Sequence, residues 1–312
     1  MGRQFIAVSR VQIPPSPLFK PPSFSRAVFL NRLERPLTMN DSKTLVGVTT
    51  MHGKESQITQ GFKDVLDWEV VAVDIDTDRF GTFTGDVPRP LSPKETARAK
   101  CLAGIEASGI TRMIASEGTF SPHPMMPFLT LNTELLFFFD KENDLEVFQT
   151  YSSTEVIAFK ETINADTDFD RLVLAADLPD HALILRDDSK PPRVYAKGIT
   201  GLAQLRESIP DKVQNSLIVE TDFRAMVNPS RQINITECAK LLAQRLATKC
   251  QSCDSIGWGI VDYEKGLPCS DCGARANREV SAEVFGCPKC NQREKRLVDA
   301  LASPSNCDFC NP

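Results

Sequence analysis

The sequence predicts an α/β protein, a mostly parallel (mixed) sheet flanked by helices, plus a small C-terminal double zinc ribbon. Three observations carry this. Short β-rich runs alternate with amphipathic segments between residues 44 and 248, the pattern of helices packed on a sheet. One apolar run is split by a polar turn, which places an antiparallel hairpin within the alternation. Eight of the ten cysteines fall into four CxxC pairs between residues 250 and 312.

The chain reads in order as follows. TLVGVTT, residues 44–50, is a strand, and ESQITQGFKDVL, residues 55–66, is a helix with Ile58, Phe62 and Leu66 on one face. WEVVAVD supplies the second strand. Ser92, Pro93 and Glu95 form an S-x-x-E capping box with Pro at the first helical position, and open a helix to about Ser108 whose inward stripe is Ala97, Cys101 and Ile105. TRMIAS is the next strand, with Glu117 expected at its carboxyl end. ELLFFFDKENDLEVFQTY reads as a hairpin turning at Lys141 to Asp144. DFDRLVLAADL and TGLAQLRESI read as helices, HALILRD and NSLIVETD as strands, and a last helix spans about Ile233 to Thr248.

Three parts are expected: a disordered extension or presequence at 1–40, an α/β domain at 41–249 and the ribbon at 250–312. Residues 1–38 hold six Lys/Arg and one acid, Glu34, with Met39 standing as an alternative initiator. The formal net charge of -5 leaves the remainder acidic, which argues against broad nucleic-acid binding driven by phosphate neutralisation. No apolar run reaches the roughly 18 residues of a membrane span.

The cysteine pairs are Cys250/Cys253, Cys269/Cys272, Cys287/Cys290 and Cys307/Cys310, separated by 15, 14 and 16 residues. A CxxC turn aims two thiolates at one ion, and two turns complete a four-cysteine zinc site that leaves water no coordination position, so two structural zincs are expected. Sequential pairing of the knuckles is preferred, with an interleaved arrangement left open. Thiolate ligands point to a reducing compartment, the cytoplasm. The ribbon is expected to meet a protein partner or to cap the main domain.

Ligands of open α/β sheets bind outside the carboxyl ends of the strands. Polar residues gather there: Thr49, Thr50, His52, Gly53 and Lys54 after the first strand, and Asp78, Arg79, Gly81, Thr82, Thr84, Gly85 and Asp86 after the second. Ser116, Glu117 and His123 follow the third, and Glu220, Thr221, Asp222, Arg224, Asn228 and Arg231 the strand at 217–220. Glu117, Glu220 and Asp222 are the candidate ligands of Mg²⁺ or Mn²⁺ or bases. Lys54, Arg79, Arg224 and Arg231 are the candidate phosphate contacts. The set suits metal-assisted hydrolysis of a phosphate ester or nucleotide. The alternative is a non-catalytic module that senses an anionic metabolite or binds a protein.

TMHGKE (50–55), TDRFGTFTGDVPRP (77–90), ASEGTFSPHP (115–124), ETDFRAMVNPSR (220–231) and the CxxC tail resemble a bacterial domain-of-unknown-function family over roughly residues 44–312. Over about residues 45–120, the order TT-x-x-x-K, helix, strand, Gly-rich loop, E-x-x-R-x-K helix and strand ending in an acid is similar to the inosine-triphosphate pyrophosphatase superfamily. That likeness implies nucleotide pyrophosphatase activity, with Thr49 and Lys54 touching the triphosphate and Glu117 as the metal-binding or catalytic acid. It also implies that Glu95, Arg98 and Lys100 lie on the helix lining the cleft.

Overall fold

The first strand, β1 (Thr44–Thr49), leads through a turn at Gly53 into helix α1 (Glu55–Phe62), and β2 (Trp68–Val73) returns parallel to β1. Helix α2 (Pro93–Ser108) starts where the sequence places it. The Ser92 hydroxyl accepts from the Glu95 amide, the Glu95 carboxylate accepts from the Ser92 amide, and Gly109 ends the helix at φ 75°. Strand β3 (Arg112–Pro122) lies on the other side of β1, again parallel, and the hairpin β4 (Thr130–Asp140) and β5 (Leu145–Ser153) completes a mixed five-stranded sheet in the order β2-β1-β3-β4-β5. This computed structural model describes residues 43–51, 53–81, 87, 89–124, 126–212 and 215–312. The predicted extension at 1–40, His52, and Thr82, Thr84, Gly85 and Asp86 of the Gly-rich loop lie outside the described residues.

Side-chain alternation explains the apolar run ELLFFF. Leu136 and Phe138 face α1 and the last helix with Val46, Val48, Ile58 and Phe62, while Leu135, Phe137 and Phe139 face α2 with Ala97, Cys101 and Met113. A sheet covered on both faces has no polar side, so its central strands are apolar throughout.

After β5 the chain builds a second sheet. Strand β6 (Lys160–Ile163), helix α3 (Phe169–Ala175), strands β7 (Leu183–Asp187) and β8 (Val194–Ile199), helix α4 (Leu202–Ser208) and strand β9 (Leu217–Thr221) follow. The strands pair antiparallel in the order β6-β9-β7-β8 around Leu172, Leu183, Leu185, Leu205 and Val219. The strands predicted at HALILRD and NSLIVETD are present, but they pair with each other here and add nothing to the first sheet. Helix α5 (Pro229–Ala247) then returns to the first sheet. It begins about four residues before the predicted start, because the Asn228 side chain caps it and Pro229 occupies the first turn.

The C-terminus is a three-stranded antiparallel sheet of β10 (Gly259–Pro268), β11 (Arg275–Gly286) and β12 (Arg293–Leu297). Its cysteine groups fit a double zinc ribbon, and residues 43–312 make one compact unit. The preferred sequential pairing of the knuckles is wrong. Cys250 and Cys253 gather with Cys287 and Cys290, and Cys269 and Cys272 with Cys307 and Cys310. The reason is length. The ten residues of extended β10 lie between the first knuckle and the second and span about 33 Å. Antiparallel pairing of Gly259 with Gly286 brings the first knuckle back to the third, and Cys269 bridges to Ala302 near the fourth.

Candidate functional site

A cavity of about 60 Å³ opens between the two sheets, lined by Lys54 at the start of α1, Thr77, Asp78 and Gly81 after β2, and Arg89 and Lys100 around α2. Ser116, Glu117 and Gly118 of β3 form its floor, with Ile184, Lys197, Arg224 and Arg231 from the remaining elements. Glu117 does not end its strand as predicted, since β3 pairs with β4 up to Pro122 and Glu117 faces Leu135 in mid-strand. Its parallel neighbour β1, however, last pairs at Thr49 with Ala115. Ser116 to Gly118 therefore lie just past the carboxyl edge of the parallel strands, where the loops leave room for a ligand.

Four of the lining cations are fixed by identifiable partners. Lys100 donates to the Glu117 carboxylate, with both side chains nearly buried. Arg231 forks onto Glu134 at 2.8 and 3.2 Å and donates to the Phe223 carbonyl at 2.6 Å. The pair is buried, and Gly118 admits it, because a Cβ there would meet the Arg231 guanidinium at 2.4 Å. Arg224 pairs with fully buried Asp222 at 2.6 Å, which also accepts from the Gly198 amide at 3.1 Å. Arg89 reaches the Gly118 carbonyl at 3.4 Å.

Lys54 differs. Its Nζ donates to the Ser116 hydroxyl at 2.9 Å, and among the described residues it forms no ion pair. Burial, then the nearby charges of Arg231 and Lys100, push its ammonium down to about 7. Six basic side chains line the cavity against two acids, Asp78 and Glu117, and Glu134 and Asp222 stand behind it. With Lys54 protonated, the site keeps an excess of about two positive charges.

The predicted residues are brought together only in part. Lys54, Arg224, Arg231 and Glu117 line the cavity. Asp222 acts through Arg224. Thr49 is buried behind it, its hydroxyl directed to the Ile114 carbonyl at 3.3 Å. Arg79 is exposed and lies 4.8 Å over the Phe80 ring, and His123 accepts from the Met126 amide in a turn. Glu220 sits on β9 in a two-point bond with Arg186 at 2.7 and 3.0 Å, away from the cavity. Glu117, Glu220 and Asp222 therefore do not converge on one ion. Among the described residues only the two cysteine groups lie close enough to share one.

Of the three helix residues expected at a cleft, Lys100 lines the cavity, whereas Glu95 caps Ser92 and Arg98 pairs with Glu146 at 2.6 Å. Arg89 and Lys197 were not singled out in the sequence. Arg89 stands in the quoted Gly-rich loop, and Lys197 belongs to β8, which no apolar pattern announced. Lys100 had a further signal in its position, since a lysine beside Ala97 and Cys101 lies on the buried face of an amphipathic helix.

The cysteine groups have the geometry of closed metal sites. Sulfur separations are 3.7 Å (Cys250 to Cys290), 3.6 Å (Cys253 to Cys287), 3.9 Å (Cys269 to Cys310) and 3.7 Å (Cys272 to Cys307). A tetrahedron of sulfurs about 2.3 Å from a zinc ion has edges of about 3.8 Å. The Lys289 and Cys290 amides donate to the Cys287 sulfur, and amides of Cys272 and Asp271 hold the Cys269 thiol down to about 7, which favours the ligating thiolate.

These features define a mixed α/β protein with a cation-lined pocket and a ribbon carrying two four-cysteine groups that can each hold a metal ion. A family model described as Domain of unknown function (DUF6671) matches residues 100–312, and the chain belongs to that family. No curated protein matches the sequence. No helix among the described residues is long and apolar enough to cross a membrane.

Proposed function

We propose that the pocket binds the phosphate group of a small molecule and that the ribbon is a structural double zinc site. The carrying observation is the convergence of Lys54, Arg89, Lys100, Lys197, Arg224 and Arg231 on one cavity. Its size bounds the ligand. A cavity of about 60 Å³ suits a compact group such as a phosphate. Any base or sugar would lie outside. The sulfur tetrahedra support zinc, and four thiolates per ion suit a reducing compartment such as the cytoplasm. Exposed Leu297, Leu301 and Phe309 are what supports a protein partner for the ribbon.

Sulfate keeps its charge between pH 6 and 8 and is the cleaner probe. Calorimetric titration of the zinc-loaded full chain should show binding that weakens several-fold as Lys54 loses its proton, and Lys54→Met should bind weakly at both pH values. Absence of sulfate and phosphate binding at millimolar concentration would sink the reading.

A hydrolytic reading is favoured by one further observation, that Glu117 shares the cavity with these cations. Glu117 would have to exchange Lys100 for a water or for Mg²⁺ or Mn²⁺. Metal-dependent phosphate release from normal and deaminated nucleotides, lost in Glu117→Gln, would support it. Equal rates in parent and variant would remove Glu117 from the chemistry.

A further inference from the structure

Three cations of the pocket have carboxylate partners: Lys100 with Glu117, Arg224 with Asp222 and Arg231 with Glu134. Among the described residues Lys54 has none: its Nζ donates to the Ser116 Oγ, while its backbone amide donates to the Thr50 Oγ1 and its carbonyl accepts from the Ile58 amide. A lysine that serves only as a fixed charge gains from a carboxylate. One left beside a hydroxyl among other cations is arranged to give up its proton, and the free amine is a nucleophile.

We propose that Lys54 is a covalent amine centre whose Nζ condenses with the carbonyl of a short phosphorylated aldehyde or ketone, while the surrounding cations hold the phosphate. This rests on the phosphate-binding reading and adds the reacting group. The neutral Nζ attacks the carbonyl carbon, and the carbonyl oxygen gains the proton that the nitrogen sheds, relayed by the Ser116 hydroxyl 2.9 Å away. The carbinolamine then expels its hydroxyl as water with one further proton taken from nitrogen, leaving an imine. Amine and carbonyl are consumed, imine and one water are formed, and no oxidant is needed. A protonated imine withdraws electrons from the carbon next to it, so the activity would break a C–H or C–C bond there. The low proton affinity of Lys54 is consistent with this, because about half the amine is free near pH 7.

The test is trapping. The zinc-loaded full chain is mixed with glycolaldehyde phosphate or unphosphorylated glycolaldehyde, reduced with borohydride and peptide-mapped by mass spectrometry between pH 6 and 9. The expected result is an adduct on Lys54 at least tenfold faster than on exposed Lys43 or Lys249, with a rate that rises through about pH 7 and is suppressed by inorganic phosphate. Ser116→Ala should slow trapping by a larger factor than it weakens sulfate binding. Labelling spread evenly over surface lysines while sulfate still binds would overturn the amine centre and leave the anion site standing. Equal labelling of Lys54 by the two aldehydes, without phosphate protection, would keep the nucleophile and overturn the phosphate-recognition half of the proposal.

Discussion

Lys54 carries a thermodynamic signature besides its chemical one. Its proton affinity is lowered to about 7 in the folded chain, whereas an unfolded lysine titrates near 10.4. Between those values the unfolded chain binds more protons, so this group makes stability rise with pH through the window and contributes nothing to the slope above it. Urea unfolding at pH 6.5 and 9.5 should show that rise, and Lys54→Met should flatten it. A slope unchanged by the substitution would mean that Lys54 is solvated. Gly118 is the second residue-scale determinant, because its missing Cβ lets Arg231 lie against β3. Gly118→Ala should move the guanidinium, weaken sulfate binding at least tenfold and destabilise by about 1 to 3 kcal/mol as the buried pair with Glu134 is strained.

Among the elements, α1 and α5 pack closely because Gly61 has no side chain. A Cβ there would meet the Ala239 Cβ at 2.6 Å and the Thr236 carbonyl at 2.7 Å, and backbone cannot step aside. Gly61→Ala is therefore expected to cost about 1 to 3 kcal/mol, despite the higher helix propensity of alanine. A variant as stable as the parent by denaturant midpoint would show that the helices separate freely. Legibility also divided by element. Central strands such as TLVGVT and LIVET, and α2 with its Ser92 cap, stood out because burial and capping leave marks in composition. The strands that were missed, β6 (KETI), β8 (VYAKGI) and β12 (REKRL), are all sheet edges. Edges carry charged residues that discourage pairing with other chains, and this erases the apolar alternation by which a strand is recognised.

At the scale of the whole molecule, the ribbon is expected to depend on bound metal for its fold. Its only buried apolar cluster is Leu267, Ala276 and Ala302, too little to order β10 to β12 alone. Chelation should abolish the protection of the β11 amides from hydrogen exchange while α2 and β4 stay protected. The interleaved pairing makes a sharp prediction. In Cys250→Ala/Cys287→Ala both changes fall in one group, so one metal ion per chain should remain by elemental analysis. Sequential pairing would leave neither site with more than three ligands. Loss of both ions would refute the pairing seen here.

The sequence by itself determined the mixed α/β class, the capped helix, the hairpin, the eight cysteines of the two groups that can hold metal and the identity of several pocket residues. Each leaves a local trace in periodicity, capping chemistry or spacing. Only the tertiary structure decided which cysteine knuckles gather into one group, that Glu220 and Arg79 stand away from the cavity, and that Lys54 meets the Ser116 hydroxyl and, among the described residues, pairs with no carboxylate. Those are relations between segments as much as 62 residues apart along the chain, and strand register and helix packing fix them in ways no local pattern records.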